Sequence, residues 1–437
     1  MNKYVVNHGF HGIFQEDKMK KSFVVVLLAL SMIFSIIACA AAEDVTEIVL
    51  WTALSGSKGQ AIQQVVDNFN NSQDKIHVTA EYQGNYYEIA AKLQAGLASG
   101  DTPNITMMSG SRVKRFAELG AFVDCTDLFP KHGIDLHSFY DGFWFQLDWG
   151  EGQFGVPFNC STPLFYYNKE MFEAAGLPDR GPANWDELAE FARKLTNDET
   201  IGYEMPLDVW FYECFIIQQG LPLLNEDETD IGFNNADGAA PLYSWIDMMK
   251  EGIMSFPPGQ EYNSYDQARL DFSSRKAAMI LASTGDLATL NDSCDFEVGT
   301  AFLPAGKQYG TSGGGTHMLP VVGHEDELDA SLEFLAFATS PEQAGLFAAL
   351  TGYIPTSPAA AESEVYQKYL AEVPNAAVAL EQMPYAQTIP VNTYYAQIKD
   401  DIITTEIQRI FEEENFTPED ALNAISEQTR QLLAEGN

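Results

Sequence analysis

Apolar positions along this chain change period repeatedly, and each change marks an element. Glu47–Trp51 is a short apolar run. From Gly59 to Asn70, Ile62, Val65, Val66 and Phe69 share one stripe at helical spacing. Ile76, Val78, Ala80 and Tyr82 then alternate with polar residues, the period of a strand. Ile89, Leu93 and Leu97 stripe the next helix. This strand–helix rhythm predicts an α/β fold, a mostly parallel sheet covered by helices. Boundary residues agree. Asn184 stands before the amphipathic segment Trp185–Leu195, with Glu187 three residues on. Ser340-Pro341 opens a helix that Gly352 closes. Thr417-Pro418-Glu419-Asp420 opens the last one, with Ala421, Ile425, Leu432 and Leu433 facing inward. There is no internal repeat. The loop-rich stretches Asn225–Asp237, Pro257–Asp266 and Ala305–Gly315 are too short to link independent modules.

One run breaks this rhythm. Met19-Lys20-Lys21 precedes Ser22–Ala38, which carries no charge and ends in small residues. A basic start, an apolar stretch and a small-residue end make a secretory signal over residues 1–38. It falls short of the roughly 20 apolar residues of a membrane span. Ile36-Ile37-Ala38-Cys39 has the form of a bacterial lipobox, with Cys39 as the lipidated first residue of the mature chain. Plain cleavage after Ala42, at Ala40-Ala41-Ala42, is the alternative. Met19 reads as the initiator, with residues 1–18 upstream of it. The mature protein is therefore expected outside the cytoplasm, on the membrane only through its lipid.

Charge narrows the partners. Losing residues 1–38 removes four Lys and two acidic residues and leaves 20 basic against 60 acidic side chains, a formal charge of −40. That field repels nucleic acid and anionic lipid, and it disfavours an anionic substrate unless a cationic pocket overrides it. The plainer reading is a surface kept soluble by charge. A chain of 437 residues is too long for one core and suits two lobes. Cys125, Cys160, Cys214 and Cys294 lie far apart, without CxxC or zinc spacing, and the sequence does not pair them.

The most informative segment is Gly155–Leu177, GVPFNCSTPLFYYNKEMFEAAGL. A strand-like run with small hydroxyls at Ser161 and Thr162 passes through Tyr166-Tyr167 into a helix that stops at Gly176. This segment resembles the first hinge of the extracellular solute-binding proteins of bacterial ABC transporters, of the carbohydrate-uptake type. It is most similar to the glycerol-3-phosphate-binding branch. Further blocks carry the likeness from about residue 45 to the C-terminus: YQGNYYEIAAKLQAGLASGDTPNI from Tyr82, Lys276-Ala277-Ala278-Met279, Gly313-Gly314-Gly315-Thr316 and Thr351-Gly352-Tyr353-Ile354-Pro355. The resemblance implies a two-lobed type II periplasmic-binding-protein-like fold. Each lobe is a mostly parallel sheet flanked by helices, with the ligand cleft at the hinge. It implies three crossings, dividing the chain into a first lobe of 43–166 plus 298–335 and a second of 167–297 plus 336–437.

The resemblance also implies where the solute sits. Tyr86 falls on a ligand-contacting tyrosine of the branch; Gly84-Asn85 would turn its ring outward. At the strand end near Ser109 the branch carries an acidic ligand contact, and this chain has Gly110, so Ser109 or Ser111 is left to supply a hydroxyl. In the hinge, Ser161 is the hydroxyl and Asn159 its neighbour, while Cys160 replaces a small hydroxyl. Trp210 stands where the family often places a stacking indole, since indoles and phenols cover the apolar faces of sugars. Plain core is the rival reading there, next to Phe211. Ser283 precedes an expected helix start, an oxygen-binding corner. Gly314 and Gly315 admit close backbone approach, and Tyr353 transfers most directly.

The branch pairs phosphate with a late Arg. In this chain no Lys or Arg occurs between Lys368 and Lys399. With the acidic charge, that absence points to a neutral sugar or oligosaccharide, with glycerol-3-phosphate or a glycerophosphodiester as the alternative. No metal, cofactor or nucleic acid is expected; a permease is the expected partner and the chain a monomer. H-E-x-x-H is missing, no G-x-S-x-G forms a strand-to-helix nucleophile elbow, and no G-x-G-x-x-G follows a strand-like run. A secreted glycoside hydrolase, needing only two well-placed carboxylates, is the rival enzyme class.

Overall fold

The computed structural model describes residues 45–259 and 262–436. The signal segment and Cys39 lie outside them. The strands are β1 (Thr46–Thr52), β2 (Ile76–Tyr82), β3 (Ile105–Ser109), β4 (Val156–Ser161), β5 (Pro163–Asn168), β6 (Tyr203–Glu204), β7 (Met254–Ser255), β8 (Met279–Ser283), β9 (Val298–Ala301), β10 (Thr311–Ser312), β11 (Gly314–Pro320) and β12 (Ala386–Gln387). Ten of them build two five-stranded sheets, ordered β2-β1-β3-β11-β4 and β7-β6-β8-β5-β9, and β10 pairs with β12. In the first sheet only β11 runs against its neighbours, and in the second only β5 does. This is the two-lobed, mostly parallel α/β fold.

The periodicities become packing directly. Helix Gly56–Ser72 buries Ala61, Ile62, Val65, Val66 and Phe69, the stripe seen in sequence. Each large side chain so buried contributes about 1.5–3 kcal/mol. Phe69 meets Phe334 and Phe337 of helix Leu328–Ala338 edge to face, with both centroids at 5.2 Å. Asn184 caps helix Trp185–Leu195 by accepting from the Glu187 N–H. Thr417 and Asp420 form a full capping box on the last helix. Ser283 opens a 3-10 turn, Thr284–Asp286, with helix Leu287–Ser293 following it.

Lobe boundaries differ from the expectation. β5 pairs with β8, Pro163 opposite Ser283, so the first crossing is at Thr162 and not after residue 166. β9 pairs with β5, and the following residues stay on the second lobe through bonds to Ala183, Cys214 and Gln218, so the return crossing is at Gly313, just before β11. Helix Pro341–Thr351 stays with the first lobe, where Phe347 and Tyr353 join the core around Ile62 and Phe158. The physical reason is burial. Every residue of β4 and β5 is buried, so neither strand shows the alternation that would separate them. Cys125, Cys160, Cys214 and Cys294 are all free thiols.

The parallel strands aim their carboxyl ends at the gap between the sheets, and reversed β11 begins there. In open α/β sheets that edge is where ligands bind.

Candidate functional site

At those strand ends lies a cleft of about 670 Å³. Tyr86, Ser109, Ser161, Trp210, Ser283, Gly314, Gly315 and Tyr353 all line it, from both lobes. Residues separated by up to 267 positions in the chain therefore meet in one place.

Local chemistry sets each of them. Gly84 takes φ +97° ahead of a capping box in which Asn85 accepts from the Tyr87 and Glu88 N–H groups. Glu88 answers by accepting from the Asn85 N–H at 2.8 Å. That box starts the helix at Tyr86 and, against the outward turn expected from Gly84-Asn85, sends its phenol inward, where the oxygen accepts from Asn159 Nδ2 at 2.9 Å. The Tyr86 and Tyr353 hydroxyls bond each other, and burial pushes both phenols above their ordinary pKa, so both stay protonated. Tyr353 stacks on Phe347 at 5.8 Å, nearly coplanar at 9°. Asp208 caps helix Val209–Gln218 on the Trp210 N–H at 2.7 Å. The Trp210 indole N–H then donates to the Ser312 carbonyl at 3.3 Å, which fixes the ring as a cleft wall. Ser283 Oγ accepts from the Gly285 N–H at 3.1 Å.

Two expectations need correcting. Asn159 is fully buried and does not line the cleft. Its amide nitrogen serves Tyr86 and its oxygen accepts from Thr316, so it braces the wall from behind. The close approach at the glycines is to protein. A Cβ on Gly314 would lie 2.8 Å from Trp210 Cζ2, and Gly315 sits at φ +130° against the β4 backbone. Gly314→Ala is therefore expected to displace the indole and lower solute affinity several-fold, with a change in tryptophan emission that reports the shifted ring.

Four cations also face the cleft, and sequence reasoning passed over all of them: Lys58, Arg112, Arg269 and Lys399. Every one has a carboxylate partner. Lys58 of the first lobe reaches Asp286 of the second at 2.9 Å. Arg112 crosses to Asp400 at 2.6 Å. Arg269 also holds Asp286, at 3.0 Å, and contacts Asp266. Lys399 pairs with buried Glu213 at 3.3 Å. Burial opposes ionisation of Asp286, but Lys58 and Arg269 outweigh it and hold its carboxyl below the ordinary range. The one usable signal was position: Arg112 and Asp286 each lie three residues beyond a flagged strand-end serine.

Residues 64–375 match the family of bacterial extracellular solute-binding proteins, and the chain belongs to it. The sn-glycerol-3-phosphate-binding periplasmic protein of Pectobacterium atrosepticum is 25% identical over 444 residues, covering 95% of this chain and 98% of that protein. Among solved structures, UgpB of Mycobacterium tuberculosis in complex with glycerophosphocholine superposes with TM-score 0.81 at 25% identity, covering 89% of this chain and 99% of that one. The cyclic α-maltosyl-1,6-maltose-binding protein of Arthrobacter globiformis shares the fold, with TM-score 0.74 at 23% identity over 90% of this chain and 100% of that one. These relatives are named as binding proteins.

Proposed function

We propose that the chain is the solute-capturing component of an ABC importer and that its solute is a neutral carbohydrate, a sugar or short oligosaccharide. The observation that carries this is charge balance in the cleft. Lys58, Arg112, Arg269 and Lys399 are each taken by a carboxylate. The segment where the resemblance would put a phosphate-pairing Arg lends the cleft Ile389. What remains for the solute is phenol, indole, hydroxyl and backbone N–H, the groups that stack on and bond to a polyol.

Solute bound between the lobes favours the closed arrangement by contacting both. In this reading the closed form docks on a permease, and the protein is held outside the cytoplasm by a lipid on Cys39. It works as a monomer and needs no cofactor. A second reading is glycerol-3-phosphate or a glycerophosphodiester. The names of the relatives favour it, as does the convergence of four cations on one cleft.

A thermal-shift panel on the chain from Glu43 onward separates the two: D-glucose, maltotriose and xylotriose against glycerol-3-phosphate and glycerophosphocholine. A solute at a hundredfold excess over its Kd adds about 2.7 kcal/mol of stability. A shift with a sugar is expected. A shift with the phosphate compounds alone replaces the first reading by the second.

A further inference from the structure

Gly110 has no conformational need to be glycine, for its φ is not among the positive ones. Its missing side chain serves a neighbour. A Cβ built on Gly110 falls on the carboxamide of Gln146, and His317 Nε2 stands 3.0 Å away from it. Gln146 thus fills, from another segment, the space that a side chain at position 110 would take.

Gln146 is held there. Phe143 and Leu147 on either side of it are buried and anchor the segment. Only 6% of Gln146 is exposed, yet it lines the cleft together with Gly110. Its Oε1 lies 3.0 Å from His317 Nε2. An amide oxygen only accepts, so the imidazole donates from Nε2. Nδ1 is then a bare acceptor, in keeping with its lack of a partner. Burial pushes the His317 pKa down to about 3, so the ring stays neutral. Among the described residues the Gln146 nitrogen has no hydrogen-bond partner.

We infer that Gln146 is a specificity-determining residue that donates its free amide N–H to an acceptor oxygen of the solute, with His317 as its positioning residue. The inference rests on the carbohydrate reading above and deepens it. A donor at this place selects a sugar that turns a ring, glycosidic or carbonyl oxygen to the β3 end, and it leaves a hydroxyl proton directed there without an acceptor. Gly110 is the sequence condition that lets the amide in.

The test uses the chain from Glu43 onward, titrated by calorimetry with whichever of D-glucose, maltotriose and xylotriose stabilises it most. Gln146→Leu and Gln146→Glu keep the size and remove the donor; each is expected to bind about tenfold more weakly, the scale of one buried hydrogen bond left unmade. His317→Leu is expected to weaken binding similarly in the native background and to add nothing in the Gln146→Leu background, the non-additivity of residues acting as one unit. Melting temperatures confirm that the variants fold. Native affinity in Gln146→Leu, or in Gln146→Glu, overturns the inference and leaves the carbohydrate reading intact. Additive loss from His317→Leu overturns the positioning role. A wild type that responds to none of the three sugars overturns the carbohydrate reading and this inference with it.

Discussion

Asp286→Ala is expected to lower the unfolding free energy by about 3 kcal/mol, because it removes the shared partner from a largely buried charge cluster and leaves Lys58 uncompensated and Arg269 with Asp266 alone. The Asp286 side chain is 3% exposed, with Lys58 and Arg269 at 22% and 23%. Both cations bond the same oxygen, Oδ1, at 2.9 and 3.0 Å. Lys58 comes from the first lobe and Arg269 from the second, so the loss also cuts a tie across the cleft. Its pH dependence follows from the depressed carboxyl. A carboxylate whose folded pKa lies below its unfolded value stabilises the fold above that unfolded value, about 3.9. The contribution fades as pH falls through the folded pKa. Urea unfolding at pH 7 and at pH 3 should therefore show a large gap between wild type and variant at the first and a smaller one at the second. A loss below about 1 kcal/mol at pH 7 would mean that the cluster holds little.

Trp210→Ala should weaken solute binding by about thirtyfold, roughly 2 kcal/mol, the cost of truncating an aromatic hot spot. Three things pre-organise the ring: the Asp208 cap, the indole bond to Ser312 and the flat bed of Gly314. A stacking surface held this way loses little entropy when it meets a sugar. Trp210→Phe keeps a face without the N–H and should recover most of the affinity. If Trp210→Ala folds with a native melting temperature and binds as the wild type does, the indole is core and the rival reading of that position stands.

How much of this was legible in sequence depends on the kind of signal. Half-buried elements were open to view: the stripe of helix Gly56–Ser72 and the alternation of β2 each present one wet and one dry face. Caps were also open, since Asn184 and Thr417 act within a few residues of themselves. The sheet partners of β5 and β9 were not, because fully buried β5 has no period, β9 is only four residues long, and pairing is a long-range event. In the cleft, most residues carried by blocks of resemblance lie together, while Asn159 stands behind the wall. The cations did not show, because Lys58 and Arg112 look like any solvated helix charge until the opposite lobe brings Asp286 and Asp400. Gln146 had no local mark at all. Its one trace is Gly110, which reads as a turn glycine until its empty side-chain space is seen to be filled.

The most direct test of solute capture between the lobes is a crystal structure of the chain from Glu43 onward with the sugar that gives the largest thermal shift. The account places that sugar in the 670 Å³ cleft, with a ring face on Trp210 and oxygens within hydrogen-bond distance of Tyr86, Tyr353 and Gln146. The four cations should keep their carboxylates. A sugar bound outside the cleft, or a phosphate compound seated on Lys58 and Arg269 with Asp286 displaced, would contradict it.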